Sequence, residues 1–198
     1  MPLILETVVT TVSPEGKLHL VPFGLIREGE DYVLAPFRPS PTIANLDANS
    51  YFAASAPSDV RVIAGVVTGR REWPVVACDQ IPGQRLAACF GHAEFEVASV
   101  EADETRPRYR GRMVHARSHT PFIGYNRAQA AVIEAAILST RLHMLEPDKI
   151  LTEMAYHAIA ISKTAGPAER EAWDWIEDKV AHALGRRDRV LAHPLAAS

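Results

Sequence analysis

Cysteine is nearly absent from this chain. Cys78 and Cys89 are the only two, and they form no Cys-x-x-Cys pair, so neither a disulfide framework nor a zinc site is expected. No apolar run approaches the length needed to cross a bilayer. The opening MPLILETVV lacks the basic stretch and long apolar core of a secretory leader, which makes a cytoplasmic, membrane-free protein the expectation. An excess of one charge is also missing. Lys and Arg total 21 against 24 Asp and Glu, with both signs interspersed and a net charge of −3, which argues against a nucleic-acid partner. Gly-x-Ser-x-Gly, the P-loop and Gly-x-Gly-x-x-Gly do not occur, so serine-hydrolase, kinase and Rossmann dehydrogenase chemistry find no support. What is present is apolar material: 47% of the 198 residues are hydrophobic, enough for a packed core.

The hydrophobic period changes near residue 125. Before it, short β-rich runs alternate with turn signals. LILETVVTTV (3–12) and KLHLVPFGLI (17–26) flank the turn SPEG and read as a hairpin, followed by REGED and a third strand, YVLAPF (32–37). TIANLDANS (42–50) reads as a short helix with Ser40 as N-cap and Pro41 in the first turn. YFAASA (51–56) and VRVIAGVVTG (60–69) read as strands, and RREWPVVACDQIPGQ (70–84) as an irregular loop. RLAACFGHAEFEVASVE (85–101) and RYRGRMVHARSH (108–119) complete the set, with Glu94 and Glu96 on the exposed side of the first. Six or seven strands with no strong helix between them predict a small antiparallel barrel or sandwich over residues 1–124.

After residue 125 the period is helical. NRAQAAVIEAAILSTRLHML (126–145) carries the stripe Ala128, Ala131, Val132, Ala135, Leu138, Leu142 and Leu145. EPDKILTEMAYHAIAIS (146–162) carries Ile150, Met154 and Ile161. PAEREAWDWIEDKVAHAL (167–184) carries Trp173, Ile176, Val180 and Leu184, and Gly185 ends it. A helical part over 125–185 and a loose tail over 186–198 are expected.

Three stretches hold chemistry. FRPSPTIANL (37–46) combines the Arg38 guanidinium, the Ser40 and Thr42 hydroxyls and the Asn45 amide around two stiffening prolines. A phosphate would be met by such convergent donors at a helix start. An ordinary cap at Ser40 with a solvated Arg38 is the simpler reading of the residues alone. PFIGYNRAQ (121–129) is an elbow into a helix, where Tyr125, Asn126 and Arg127 suit an anion, a planar ligand or a ligand-free junction. HARSH (115–119) sets His115 and His119 on one strand face with Arg117 read onto the other; with no third ligand at a convincing spacing, no metal is expected. No catalytic acid or base stands out.

The hairpin ETVVTTVSPEGKLHLVPFGLI, with its Pro22-Phe23-Gly24 ending, resembles the opening of the FMN-binding split-barrel (flavin reductase-like) superfamily. FRPSPTIANL is similar to that superfamily's Ser-x-Thr-x-x-Asn-Leu cofactor segment. PFIGYNRAQAAVIEAAILSTRLHML resembles one subgroup, the DUF447 family of methanogens and methylotrophs, which couples a split barrel to a helical C-terminal part. The resemblance implies an α+β fold, an FMN-binding homodimer, and cofactor contacts from Arg38, Ser40, Thr42 and Asn45, with Tyr125, Asn126 and Arg127 matching the family's elbow. It implies a flavin-dependent oxidoreductase acting on a small molecule, with a link to pterin-type one-carbon cofactors; the alternative is a non-catalytic flavin-binding or regulatory dimer. The chain departs from the pattern after Tyr51, where ASAPSD keeps only Asp59.

Overall fold

Gly16 sits at φ +79°, a left-handed turn position that suits glycine, and Ser13 N–H donates to the Lys17 carbonyl at 2.9 Å to close the SPEG turn. The turn fixes the register of β1 (Leu3–Val12) against β2 (Leu18–Glu28), which pair from Val12↔Leu18 to Leu3↔Arg27. A second glycine turn at Gly29 leads into β3 (Asp31–Leu34). Ser40 then accepts a hydrogen bond from Thr42 N–H at 3.2 Å and, with Pro41 behind it, starts α1 (Pro41–Ala48).

The computed structural model describes residues 2–185. The remaining elements are β4 (Tyr51–Pro57), α2 (Arg61–Val67), β5 (Val75–Ala77), β6 (Gln84–Leu86), β7 (Cys89–Glu101), β8 (Arg108–Ser118), α3 (Arg127–Ser139), α4 (Pro147–Thr164) and α5 (Pro167–Ala183). Six strands close an antiparallel barrel in the order β1-β2-β3-β8-β7-β4, and β5 and β6 form a separate two-stranded sheet. The fold is thus an α+β antiparallel barrel with C-terminal helices. The tail expected over 186–198 lies outside the described residues.

The chain forms two compact units. Among the described residues, one takes 2–58 together with 72–122, and the other takes 59–71 and 123–185. In the first, alternation along each strand sends Val9, Leu25, Leu34, Phe52, Ala54, Phe95 and Tyr109 into the barrel, where α1 adds Ile43 and Leu46. Phe52 and Phe95 stack at 4.7 Å between centroids and 12° between planes, both fully buried. Burying each such ring contributes about 1.5–3 kcal/mol.

In the second unit α3 buries Ala128, Ala131, Val132 and Ala135, α4 buries Ile150, Met154 and Ile161, and α5 buries Trp173, Ile176 and Val180. Asn126 caps α3 by accepting from Ala128 N–H at 2.8 Å. Arg61 on α2 pairs with Asp59 at 2.7 Å and with Glu171 on α5 at 2.8 Å, and Lys179 Nζ donates to the Val67 carbonyl at 2.8 Å. Asp59, the residue kept in the ASAPSD departure, thus serves the start of α2.

Three expectations are corrected. VRVIAGVVTG is a helix, α2, and not a strand. Val62, Ile63, Ala64 and Gly65 are buried at four consecutive positions, so no polar face marks the helical period. RREWPVVACDQIPGQ is not wholly irregular, since it holds β5 and leads into β6. Helix α3 stops at Ser139, so Leu142 and Leu145 lie beyond it.

Candidate functional site

The segment leading into α1 belongs to the barrel unit. Arg38 is exposed, and its Nε donates to the Asp103 carbonyl at 3.4 Å. The Ser40 hydroxyl accepts from the Thr42 amide, as a cap does. Thr42 is 1% exposed, and its Oγ1 has no hydrogen-bond partner. Such an orphaned hydroxyl costs about 1–3 kcal/mol of desolvation. Asn45, buried, donates from Nδ2 to Thr11 Oγ1 on β1 at 2.9 Å and so ties α1 to the barrel. Arg38, Ser40 and Thr42 are therefore gathered at one helix start, with Asn45 a turn further along.

The elbow residues belong to the helical unit. Tyr125 is 97% exposed. Asn126 is the α3 cap described above and also donates from Nδ2 to the Thr164 carbonyl at 3.2 Å. Arg127, exposed, opens α3.

A third constellation was not foreseen from the sequence. Ala93, Phe95 and Val97 of β7 pack with the barrel core, so His92 and Glu94 point to the outer face. On β8, Glu94 pairs with His115 and His92 with Arg117, but Phe95 pairs with Met113. Val114 is thus an extra residue in β8, a β-bulge that shifts the strand's alternation by one. Tyr109 lies in the core, whereas His115 and Arg117, of the same parity in sequence, lie on the outer face beside Glu94 and His92. Arg117 shares the face of His115 and does not oppose it, which corrects the expectation for HARSH.

The loop between β5 and β6 covers this face. Asp79, Gln80 and Ile81 donate three successive backbone N–H groups to the Glu94 carboxylate, at 2.6, 2.8 and 2.8 Å. Glu94 is fully buried, where the sequence expectation has it exposed. Burial alone would raise its pKa. The N–H of Ile81, the His92 ring and the N–H groups of Asp79 and Gln80 outweigh that and hold it down to about 2. His92, also buried, contacts Glu94 Oε1 through Nε2 at 2.9 Å and His119 Nε2 through Nδ1 at 2.9 Å. The Asp79 carboxylate folds back over the group: Oδ2 lies 3.6 Å from His92 Nε2 and 3.3 Å from His115 Nε2, and Oδ1 lies 3.4 Å from Arg117. The histidine spacing was visible in the sequence. The register across β7 and β8 and the returning loop were not.

Comparison with known proteins places these features in a family. Residues 5–120 match the N-terminal domain, and residues 126–178 the C-terminal domain, of a family described as protein of unknown function DUF447. An FMN-bound DUF447 protein from Methanosarcina mazei superposes with a TM-score of 0.75 at 20% identity, covering 89% of this chain and 94% of that one. A flavoredoxin from Methanosarcina acetivorans superposes with a TM-score of 0.50 at 15% identity, over 62% of this chain and 75% of that one. At these identities the likeness is one of fold, the split barrel. A search of curated protein sequences finds no match.

Proposed function

Because the chain belongs to the DUF447 family, we propose that it is a flavoprotein that holds FMN at the entry to α1 and serves as an oxidoreductase for a small molecule. The observation that carries the reading is the buried, partnerless hydroxyl of Thr42 at the start of α1, in the segment that also presents Arg38 and Ser40. A phosphate ester supplies what that hydroxyl lacks, an acceptor oxygen. The fold supports the reading as well, since the FMN-bound protein from Methanosarcina mazei shares it across nearly the whole chain.

FMN, when bound, supplies hydride and single-electron chemistry. The chain's own residues bind and orient. Arg38 offers a charged fork to the phosphate, Ser40 donates its hydroxyl proton while its oxygen still caps Thr42 N–H, and Thr42 gains its partner. Asn45, held by Thr11, keeps α1 in place so that those donors stay aimed. Tyr125, Asn126 and Arg127 are proposed as a second set of contacts, with Asn126 acting through its cap of α3.

The test is a flavin titration of wild type and Arg38→Ala, read by flavin fluorescence. A charge-assisted hydrogen bond is worth about 1.5–3 kcal/mol, so the substitution should weaken FMN by about ten- to a hundredfold and leave riboflavin, which lacks the phosphate, unchanged. Equal weakening of both flavins would move Arg38 to the ring or to the fold. Bleaching of the bound flavin by a nicotinamide donor, followed by reoxidation with an acceptor, distinguishes an oxidoreductase from a flavin carrier.

A further inference from the structure

We propose that Asp79, His92, Glu94 and His115 form a binding site for one divalent first-row transition-metal ion, which clamps the loop between β5 and β6 to the outer face of the barrel. Each of the four offers one ligand atom, and these atoms all lie within 4.8 Å of one another. The closest separations are 2.9 Å for His92 Nε2 to Glu94 Oε1, 3.3 Å for His115 Nε2 to Asp79 Oδ2 and 3.6 Å for His92 Nε2 to Asp79 Oδ2. A tetrahedral ion with bonds of about 2.0–2.2 Å needs its ligand atoms about 3.3–3.6 Å apart. The cluster brackets that spacing.

The surroundings are arranged as metal ligands require. His115 Nε2 is buried without a hydrogen-bond partner even though Asp79 lies beside it, so the contact is one of proximity and not of hydrogen-bond geometry. His92 Nδ1 faces His119 Nε2 at 2.9 Å. When an ion takes the place of the proton that Nε2 shares with Glu94 Oε1, Nδ1–H can donate to His119 Nε2 and so hold the ring with its Nε2 lone pair toward the cluster. Glu94 is oriented by three backbone N–H groups, and Asp79 Oδ1 by Arg117, which leaves Asp79 Oδ2 turned inward. Two imidazoles and two carboxylates favour zinc and its neighbours over magnesium or calcium, which prefer all-oxygen shells. Two carboxylate charges neutralise a divalent ion. Two ligands come from β7, one from β8 and one from the loop, so the ion would act as a cross-link between the loop and the sheet. The Asp79 side chain, 32% exposed, gives it an entry.

The inference is independent of the flavin reading and is tested apart from it. Full-length protein stripped with a chelator and dialysed is titrated with Zn2+ by calorimetry, with metal content measured by mass spectrometry. One equivalent per chain is expected, together with a rise in the midpoint of thermal unfolding. Co2+ in place of Zn2+ should give the intense visible bands of a tetrahedral site. Asp79→Asn keeps the backbone N–H on Glu94, and His115→Ala changes a half-buried ring, so both variants should fold. Each should weaken Zn2+ by at least about tenfold and lose the thermal gain. Absence of saturable binding by wild type, or affinity unchanged in both variants, would overturn the site.

Discussion

At the scale of single residues, the barrel contains one phenol whose environment makes an exact chemical demand. Tyr109 is 1% exposed, and its hydroxyl donates to Asp47 Oδ1 at 2.6 Å. Burial first, then the hydrogen bond and the negative charge of Asp47, push its pKa from 10.0 to about 12. The fold therefore favours the neutral phenol. That contribution is complete below pH 10 and is lost as pH rises from about 10 to about 12. We expect an absorbance titration of tyrosinate to show a late step near pH 12 that is missing in Tyr109→Phe. The same variant should lose about 1.5 kcal/mol at neutral pH, the lower end for a hydrogen bond to a charged group because Asp47 is exposed. Tyr109 looks in sequence like any residue of a basic strand, and nothing there announces its partner 62 positions earlier. Ser40 was different. Its role as a cap was legible because the signal is local, a hydroxyl followed by proline at a helix start. Glu94 departs from its sequence expectation for the opposite reason. Alternation correctly put it on the outer face of β7, but whether an outer face meets water depends on what folds over it, and the covering loop follows no periodic rule.

Elements show the same division. The first hairpin, α1, and helices α4 and α5 could be read because turn residues and apolar stripes fix them locally. Helix α2 could not, since it is buried at consecutive positions and rich in β-branched residues, which a strand would also explain. Nor could the bulge at Val114, which has no sequence mark and decides which half of β8 faces the core. Upstream of it, Gly111 pairs with Val97, and a Cβ built there would meet Phe52 Cζ at 2.8 Å, Phe52 Cε1 at 2.9 Å and Phe95 Cβ at 3.3 Å. The stacked rings have no room to retreat. Gly111→Ala should destabilise the protein by about 1–3 kcal/mol, the usual range for overpacking, measured by denaturant unfolding. Gly24→Ala offers the contrast: its new Cβ would meet the Ile4 side chain at 2.8 Å and Glu6 Oε1 at an ordinary 3.7 Å, and Ile4 is 52% exposed and can turn away. A loss there equal to that at Gly111 would contradict the packing account.

On the scale of the whole molecule, apolar surface is left uncovered. Leu3, Ile4, Phe37 and Phe122 in the barrel unit and Ile123 and Tyr125 in the helical unit are all more than half exposed. Exposed apolar side chains of this size are what a protein partner would cover wherever they adjoin in a patch. We expect a homodimer at micromolar concentration by light scattering, and a monomer there would remove the partner that the family resemblance implies. No helix among the described residues is long and apolar enough to cross a membrane. One more property follows from the route of the chain, which leaves the barrel unit after residue 58, builds α2 into the helical unit and returns at 72. On the ribosome α2 emerges long before α3 and α5, the helices it packs against. Val62, Ile63 and Ala64 must therefore wait, uncovered, while the rest of the barrel is still being translated. The order in which the parts are made thus leaves this apolar segment without its helical partners until α3 and then α5 have been translated.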